Sequence, residues 1–249
     1  RNIFETFTRF KPETKLKSYY YYDNSAGMNL SREEMDKAIE RLVLTSDINP
    51  KSILTPEQMR EKIDLSAEEF RYVFLIEREN GQKAFLRMFD DQGKYPSEAE
   101  ISAVLKTMVA ESPYIAFLSG HGERNIYDGS GVNYTSFTTV LDSRSALVNQ
   151  GYTPYTLTLT EGGDIPSDVD VLVIADLRIA LTDDELVQIK RYIEHGGNLV
   201  VIGEPRRQEY MAPVLEQLGL AFVPGVLVQP REGYVADYLW ARFTPEGAR

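Results

Sequence analysis

Residues 169–176 read Val-Asp-Val-Leu-Val-Ile-Ala-Asp, and residues 196–205 read Gly-Gly-Asn-Leu-Val-Val-Ile-Gly-Glu-Pro. Both contain short, continuous apolar runs, which are typical of central parallel strands that are covered on both faces. Between them, Thr182-Asp-Asp-Glu185 has the pattern of a helix start, and Gly196-Gly197 has that of a helix end. Leu186, Ile189 and Ile193 then fall on one helical face. A strand, a helix and a strand in this order predict one unit of a parallel sheet.

The same alternation extends over the second half of the chain. The sequence predicts strands at 114–118, 152–159, 171–175, 199–202 and 226–228, and helices around 136–150, from Thr182 onward and around 208–218. We therefore expect an α/β domain at residues 111–249, with a Rossmann-like parallel sheet of the flavodoxin or glutamine-amidotransferase type.

The first part of the chain, residues 1–110, predicts a smaller α+β domain with the order β-α-(short α)-β-β-α. Residues 15–23 predict the first strand, and residues 70–89 predict a hairpin whose Asn80-Gly81 turn is of type I′. Helix starts are indicated by Ser31-Arg-Glu-Glu34, Thr55-Pro56 and Ser97-Glu-Ala-Glu100. This order is compatible with a thioredoxin-like layer.

Composition excludes several classes of function. The 249 residues include 38 acidic and 27 basic side chains, and the net charge of −11 disfavours binding to nucleic acid or to an anionic lipid surface. The chain has no cysteine, so disulfides, thiolate zinc sites and cysteine nucleophiles are excluded. No apolar run is long enough to cross a bilayer. Because the chain begins with Arg1 rather than Met, we expect it to be an excised part of a longer protein.

The candidate site follows from the predicted sheet. In open parallel sheets, ligands bind outside the carboxyl ends of the strands, where the loops meet helix starts. The candidate ligand- or partner-binding residues at these ends are Ser119, Gly120, His121, Gly122, Glu123, Arg124, Asp176, Arg178, Glu204 and Arg206. The glycines allow close backbone approach, and the imidazole can carry a proton near neutral pH. The alternative is a purely structural corner, in which His121 and Glu123 satisfy backbone groups or pair with Arg206.

Catalytic motifs are sparse. The chain has no G-x-S-x-G, H-E-x-x-H or phosphate-loop pattern, and no metal and no cofactor is predicted. The run Gly-His-Gly-Glu-Arg-Asn at 120–125 is half of a dinucleotide fingerprint, but Asn125 replaces its third glycine. A carbohydrate-active or amidotransferase-like hydrolase that uses Glu123, Glu204 and His121 stays open as the alternative to a non-enzymatic domain, because paired carboxylates leave no motif.

Several stretches together resemble the Gldg family, which comprises auxiliary components of ABC-type transport systems that include gliding-motility transporters. They are FLRMFDDQGKYPSEAEISAVLKTMV (85–109), IAFLSGHGER (115–124), ALVNQGY (146–152), DVLVIADLR (170–178) and YIEHGGNLVVIGEPRRQE (192–209). The resemblance implies an extracytoplasmic, periplasmic domain of an inner-membrane protein, held by transmembrane segments outside this chain. It also implies permease and ATPase subunits as partners, a possible glycan or envelope ligand and no established catalytic residues.

Overall fold

The computed structural model describes residues 20–21, 31–46, 49–69, 71–89, 91–93, 95–129, 132–242 and 244–245. The chain has a mixed α/β fold and divides into two compact units, Arg1–Val104 and Leu105–Arg249. Among the described residues, no helix has the length and apolar character that crossing a membrane requires.

The first unit contains two separate pairs of strands in its described part. Strand β1 (Tyr20–Tyr21) is parallel to β2 (Ile53–Leu54), and β3 (Val73–Glu77) is antiparallel to β4 (Lys83–Arg87). The helices are α1 (Arg32–Ser46), α2 (Pro56–Lys62) and α3 (Glu98–Thr107), the last of which runs into the second unit. Most of the strand predicted at 15–23 lies outside the described residues, and the thioredoxin-like layer stays a prediction.

The three predicted helix starts are confirmed by their caps. At α1, the Glu34 amide donates to Ser31 Oγ at 3.3 Å and the Ser31 amide donates to Glu34 Oε2 at 2.8 Å. Thr55 and Gln58 form the same reciprocal pair at α2. At α3, the Ser97 amide donates to Glu100 at 2.7 Å. Each pair satisfies amides that would otherwise lack a partner in the first helical turn.

The predicted hairpin is confirmed, but its type I′ turn is wrong. The Arg78 amide donates to the Gln82 carbonyl at 2.9 Å, so the loop between them has three residues, 79–81. Gly81 has a φ of +84°, whereas Asn80 is not among the described residues with positive φ. A type I′ turn needs positive φ at both central residues, while a three-residue loop needs it only at the last, where glycine forms a bulge.

The second unit contains a four-stranded, entirely parallel sheet in the order β6-β5-β7-β8. Its strands are β5 (Tyr114–Leu118), β6 (Thr153–Leu157), β7 (Val169–Ala175) and β8 (Asn198–Ile202), and its helices are α4 (Thr135–Thr138), α5 (Asp183–Glu194) and α6 (Gln208–Gln217). Numbered from β5, the order is 2-1-3-4, which matches the first four strands of a flavodoxin-like sheet. The predicted α/β, Rossmann-like class is confirmed.

Two predicted elements of this unit are wrong. The helix at 136–150 is reduced to α4 and a 3-10 turn at Leu147–Asn149. Side chains bind backbone carbonyls there instead. The side-chain Nδ2 of Asn149 donates to the carbonyls of Leu141 and Ser143 at 3.0 and 2.8 Å. Such bonds compete with helix formation. Residues 226–228 form no strand, and they stay exposed because β8 pairs only with β7 among the described strands.

Both faces of the sheet are buried at β7, whereas Val200 and Ile202 of the neighbouring β8 are 42% and 43% exposed. Leu172 and Ile174 point to one face, where they pack against Ile189 of α5 and against Met211 and Val214 of α6. Val173 and Ala175 point to the other face, which the residues of the β5–β6 connection cover, among them Ile126, Tyr134 and Leu147. Full burial of each large apolar side chain contributes about 1.5–3 kcal/mol. Because both faces are covered at β5 and β7, a ligand can reach these two central strands only at their ends.

Candidate functional site

The strand order places a topological switch point between β5 and β7, since the chain moves from β5 to β6 on one side and β7 lies on the other. The loops that leave the carboxyl ends of β5, β7 and β8 are residues 119–124, 176–179 and 204–207, which we call the carboxyl edge. The first loop turns sharply at Gly120 and Gly122, whose φ values are +126° and +76°. Asp176, directly after β7, also has a positive φ of +54°, which is rare for a residue other than glycine.

Backbone hydrogen bonds connect the first two loops across the switch point. The amides of Arg178 and Ile179 both donate to the His121 carbonyl, at 2.9 and 3.1 Å. At Gly122, a Cβ atom would lie 3.1 Å from the Arg178 Cβ, so the absence of a side chain allows the two loops to approach. The gap in which related sheets hold ligands is therefore bridged by the protein's own backbone.

His121 lies at the centre of the first of two side-chain networks. It is only 7% exposed, and its Nδ1 lies 3.2 Å from Glu123 Oε1. Its Nε2 lies 3.1 Å from each carboxylate oxygen of Glu185, at the start of α5. The His121 backbone amide also donates to Glu123 Oε2 at 2.6 Å. One imidazole thus joins the loop after β5 to the N-terminus of α5.

Glu185 has a second role as part of the helix cap. It accepts hydrogen bonds from the amide and the hydroxyl of Thr182, at 2.7 and 2.9 Å. Burial of the carboxylate raises its pKa, but the Thr182 bonds and the neighbouring His121 outweigh burial and leave the pKa of Glu185 below its ordinary value. The capping pattern of Thr182 and Glu185 is visible in the sequence, whereas the contact of Glu185 with His121 is not. Sequence reasoning therefore missed Glu185 as a residue of this edge.

Arg124 lies at the centre of the second network. Its Nε lies 3.0 Å from Asp176 Oδ2, and its Nη2 donates to Glu204 Oε1 at 2.7 Å. The Asp176 side chain is 4% exposed, and its Oδ2 also accepts the Tyr134 hydroxyl bond. Arg207 lies 3.8 Å from the other oxygen of Glu204. A single guanidinium therefore connects the ends of β5, β7 and β8.

Tyr134 is the other residue that sequence reasoning missed. It lies in the β5–β6 connection, and the Arg124 guanidinium lies 5.7 Å from the centre of its ring. Burial, followed by the hydrogen bond to Asp176 and the charge of that carboxylate, raises the pKa of Tyr134 above its ordinary value. No motif marks this tyrosine, since its position depends on how the irregular connection folds over the sheet.

The predicted site residues divide into three groups by their place in the structure. Five of them lie in the two networks: His121, Glu123, Arg124, Asp176 and Glu204. Ser119, Gly120 and Gly122 shape the turn, with the Ser119 amide bonded to the Leu157 carbonyl at 2.9 Å. Arg178 and Arg206 are exposed. His121, Asp176 and Glu204, which are far apart in sequence, thus meet at one edge of the sheet.

The chemistry available at this edge is limited by its internal pairing. Glu123, a candidate carboxylate, is held by His121, while Glu204 is held by Arg124 and Arg207. In the described part of the chain, no group of three or more potential ligands could hold a metal ion. A cavity of about 680 Å³ lies instead at the amino ends of β7 and β8, where its lining includes Asp170, Tyr192 and Asn198.

The comparison with protein families bears on this same region. Residues 112–235 match the model of a family described as an ABC-type uncharacterized transport system. The match spans the parallel sheet, α4 to α6 and the whole carboxyl edge. No curated protein and no solved structure matches the chain significantly. Through residues 112–235, the chain belongs to this family of auxiliary components of ABC-type transport systems.

Proposed function

We propose that the chain is a non-enzymatic, extracytoplasmic accessory domain of an ABC-2-type transporter of the gliding-motility kind. In this proposal, its carboxyl edge binds a transporter subunit, an envelope component or the transported substrate. The observation that carries the proposal is the closure of the switch point by the two bonds to the His121 carbonyl. A bridged crevice favours a surface that meets a partner over a pocket that encloses a small substrate.

The state of the ionisable groups supports a non-enzymatic role. A glycosidase needs one carboxyl group that donates a proton and a second that attacks or activates water. Glu204 is paired with two arginines, and Glu123 accepts a backbone amide besides its contact with His121. These contacts hold both carboxylates in structural pairs, so they favour binding over the hydrolase alternative.

The family match supports the transport context, because its description names an ABC-type transport system. An accessory domain in such a system needs a surface that another component can reach. The carboxyl edge offers one, since Ile179 is 59% exposed although its amide is fixed to the His121 carbonyl. A fixed backbone with exposed side chains is the usual form of a protein-binding surface.

A pair of single-cysteine variants tests the proposal. The chain has no cysteine, so Ile179→Cys at the carboxyl edge and Ser167→Cys at the opposite, amino end of β7 can each be labelled specifically with a bulky maleimide. We expect the unlabelled variants to bind the permease and ATPase subunits of their own transport system, reconstituted in nanodiscs. The label at residue 179 should abolish this binding, while the label at residue 167 should leave it intact.

Two results would contradict the proposal. Equal binding of both labelled proteins would place the partner elsewhere on the chain. Absence of binding by the unlabelled protein, in the presence and absence of nucleotide, would remove the accessory role itself. The labelled proteins should have the circular dichroism of the unlabelled chain, which serves as the folding control.

A further inference from the structure

The carboxyl edge presents two arginines whose charge the described structure does not neutralise. Arg178 and Arg206 follow neighbouring strands, β7 and β8, and both are exposed. Within the described ranges, neither guanidinium has an ion-pair or hydrogen-bond partner. The exposed acidic residues that follow them in sequence, Asp183 and Glu209, form no ion pair with either one. By contrast, Arg124 and Arg207 at the same edge are both paired with Glu204.

The stem of Arg178 is fixed although its head is free. Its backbone amide is bonded to the His121 carbonyl, and its Cβ, Cγ and Cδ lie within 3.6 Å of the position that a Cβ of Gly122 would occupy. Fixing the stem lowers the conformational entropy that the side chain loses when it binds. A guanidinium on a positioned stem is suited to bidentate bonds with an anionic oxygen pair.

At this edge the carboxylates are therefore paired within the described structure, whereas two of the arginines are not. The four carboxylates, Glu123, Asp176, Glu185 and Glu204, each have partners within the protein. Within residues 119–124, 176–179 and 204–207, the exposed charged side chains are those of Arg178 and Arg206. We infer that the carboxyl edge recognises carboxylates of an acidic segment in a protein partner, through Arg178 and Arg206. This inference rests on the proposed function of the same edge.

An acidic protein segment fits better than an anionic membrane. Both offer the oxygen pairs that arginine binds, but a membrane surface would face the whole protein, whose net charge is −11. Over distances shorter than about 10 Å, charges on the rest of the chain are only partly screened, so an extended anionic surface is repelled. A short acidic segment contacts the two arginines without approaching the other acidic faces.

Binding of fluorescein-labelled hexaglutamate, followed by anisotropy at low ionic strength, tests the inference on the 249-residue chain. Replacing both arginines in Arg178→Ala/Arg206→Ala should weaken binding at least about tenfold, given the strength of hydrogen bonds between charged groups. The control Lys83→Ala/Lys190→Ala removes the same charge elsewhere and should change affinity by less than about threefold. Arg178→Lys/Arg206→Lys keeps the charge but not the planar fork, so it should restore binding only in part.

Three results would overturn the inference: no binding of hexaglutamate to the unaltered chain, equal losses in the arginine and lysine double variants, or tighter binding to phosphatidylglycerol vesicles than to the peptide. The outcome is separable from that of the proposed function. If the chain binds its reconstituted transporter and the arginine double variant binds it equally well, the function stands and the inference fails. If the chain binds hexaglutamate through the two arginines but does not bind the transporter, the recognition of carboxylates stands and the proposed function fails.

Discussion

Replacing Arg124 with methionine should destabilise the second unit by an amount that the structure allows us to estimate. Methionine keeps much of the length of the side chain but removes the guanidinium that joins Asp176 to Glu204. The Asp176 carboxylate, 4% exposed, then keeps the Tyr134 hydroxyl but loses its cationic partner. A buried charge without a compensating partner is costly, which is the physical reason for the expected loss.

The two halves of the network contribute unequally. The ion pair with the nearly buried Asp176 contributes about 1.5–3 kcal/mol, and the hydrogen-bonded pair with Glu204, which is 33% exposed, contributes only about 0.2–1 kcal/mol. The expected cost of Arg124→Met is therefore about 2–4 kcal/mol. Amides of β5 and β7 that exchange only by global unfolding should exchange roughly 30- to 1,000-fold faster, since 1.4 kcal/mol corresponds to a factor of ten.

Hydrogen exchange measured by mass spectrometry is the suitable assay, because the chain divides into two compact units and peptides from β5 and β7 come from the second unit alone. The double variant Arg124→Met/Asp176→Asn supplies the control. Asparagine tolerates the positive φ of Asp176 and removes the stranded charge, so the double variant should cost at least about 1 kcal/mol less than the sum of the single ones. Additive costs, or an Arg124→Met rate within about threefold of the unaltered chain, would refute this account of the network.

Three other perturbations have expected outcomes that stability measurements can check. The pKa of Tyr134 is raised, so the contribution of its hydroxyl to the free energy of unfolding is complete below the ordinary tyrosine pKa of 10.0 and is lost as the pH rises above that value. In urea titrations at alkaline pH, Tyr134→Phe should therefore lose less stability than the unaltered chain. Parallel curves of stability against pH would count against the bond to Asp176. The pKa of Glu185 is lowered, so the contribution of its carboxylate to the free energy of unfolding is present above the ordinary glutamate pKa of 4.5 and is lost as the pH falls below that value. Glu185→Gln should therefore reduce the dependence of stability on pH in the acid range. An unchanged dependence would contradict the lowered pKa of Glu185. In Gly197→Ala the new Cβ would lie 2.3 Å from the ring of Tyr192, so we expect the free energy of unfolding to fall by about 1–3 kcal/mol. Gly129→Ala is the matched control and should be nearly neutral, because no atom in the described part of the chain, its two chain neighbours aside, lies within 4 Å of its new Cβ.

Sequence reasoning succeeded where local signals and packing agree. The start of α5 is one example, because Thr182 and Glu185 satisfy each other's backbone amides and the apolar residues of the helix face the sheet. The failure at 136–150 has the opposite cause. That segment is rich in serine and threonine and contains Asn149, whose side chain binds three backbone carbonyls and holds the connection in an irregular form. The spacing of apolar residues, from which a helix is predicted, does not depend on such bonds.

The candidate site could be located from the sequence but not resolved into pairs. Parallel strands bring their carboxyl ends to one edge, and this alone predicts that the residues after β5, β7 and β8 are neighbours. Which carboxylate binds Arg124 depends on rotamers and on the positive φ of Asp176, neither of which has a sequence pattern. Tyr134 and Glu185 were missed because they reach the edge from an irregular connection and from a helix start.

The closure of the switch point follows from the residues that the chain places there. In folds of this topology the loops after the two central strands normally diverge and leave a crevice for the ligand. Here Gly122 has no side chain to separate the loops, and the His121 carbonyl accepts hydrogen bonds from the amides of Arg178 and Ile179 in the loop after β7. These two amides are bonded within the protein, so they are not available to stabilise a phosphate group or a developing negative charge. Of the charged side chains in the three loops of the carboxyl edge, those of Arg178 and Arg206 are exposed, so they are the ones that a partner approaching from outside would meet first.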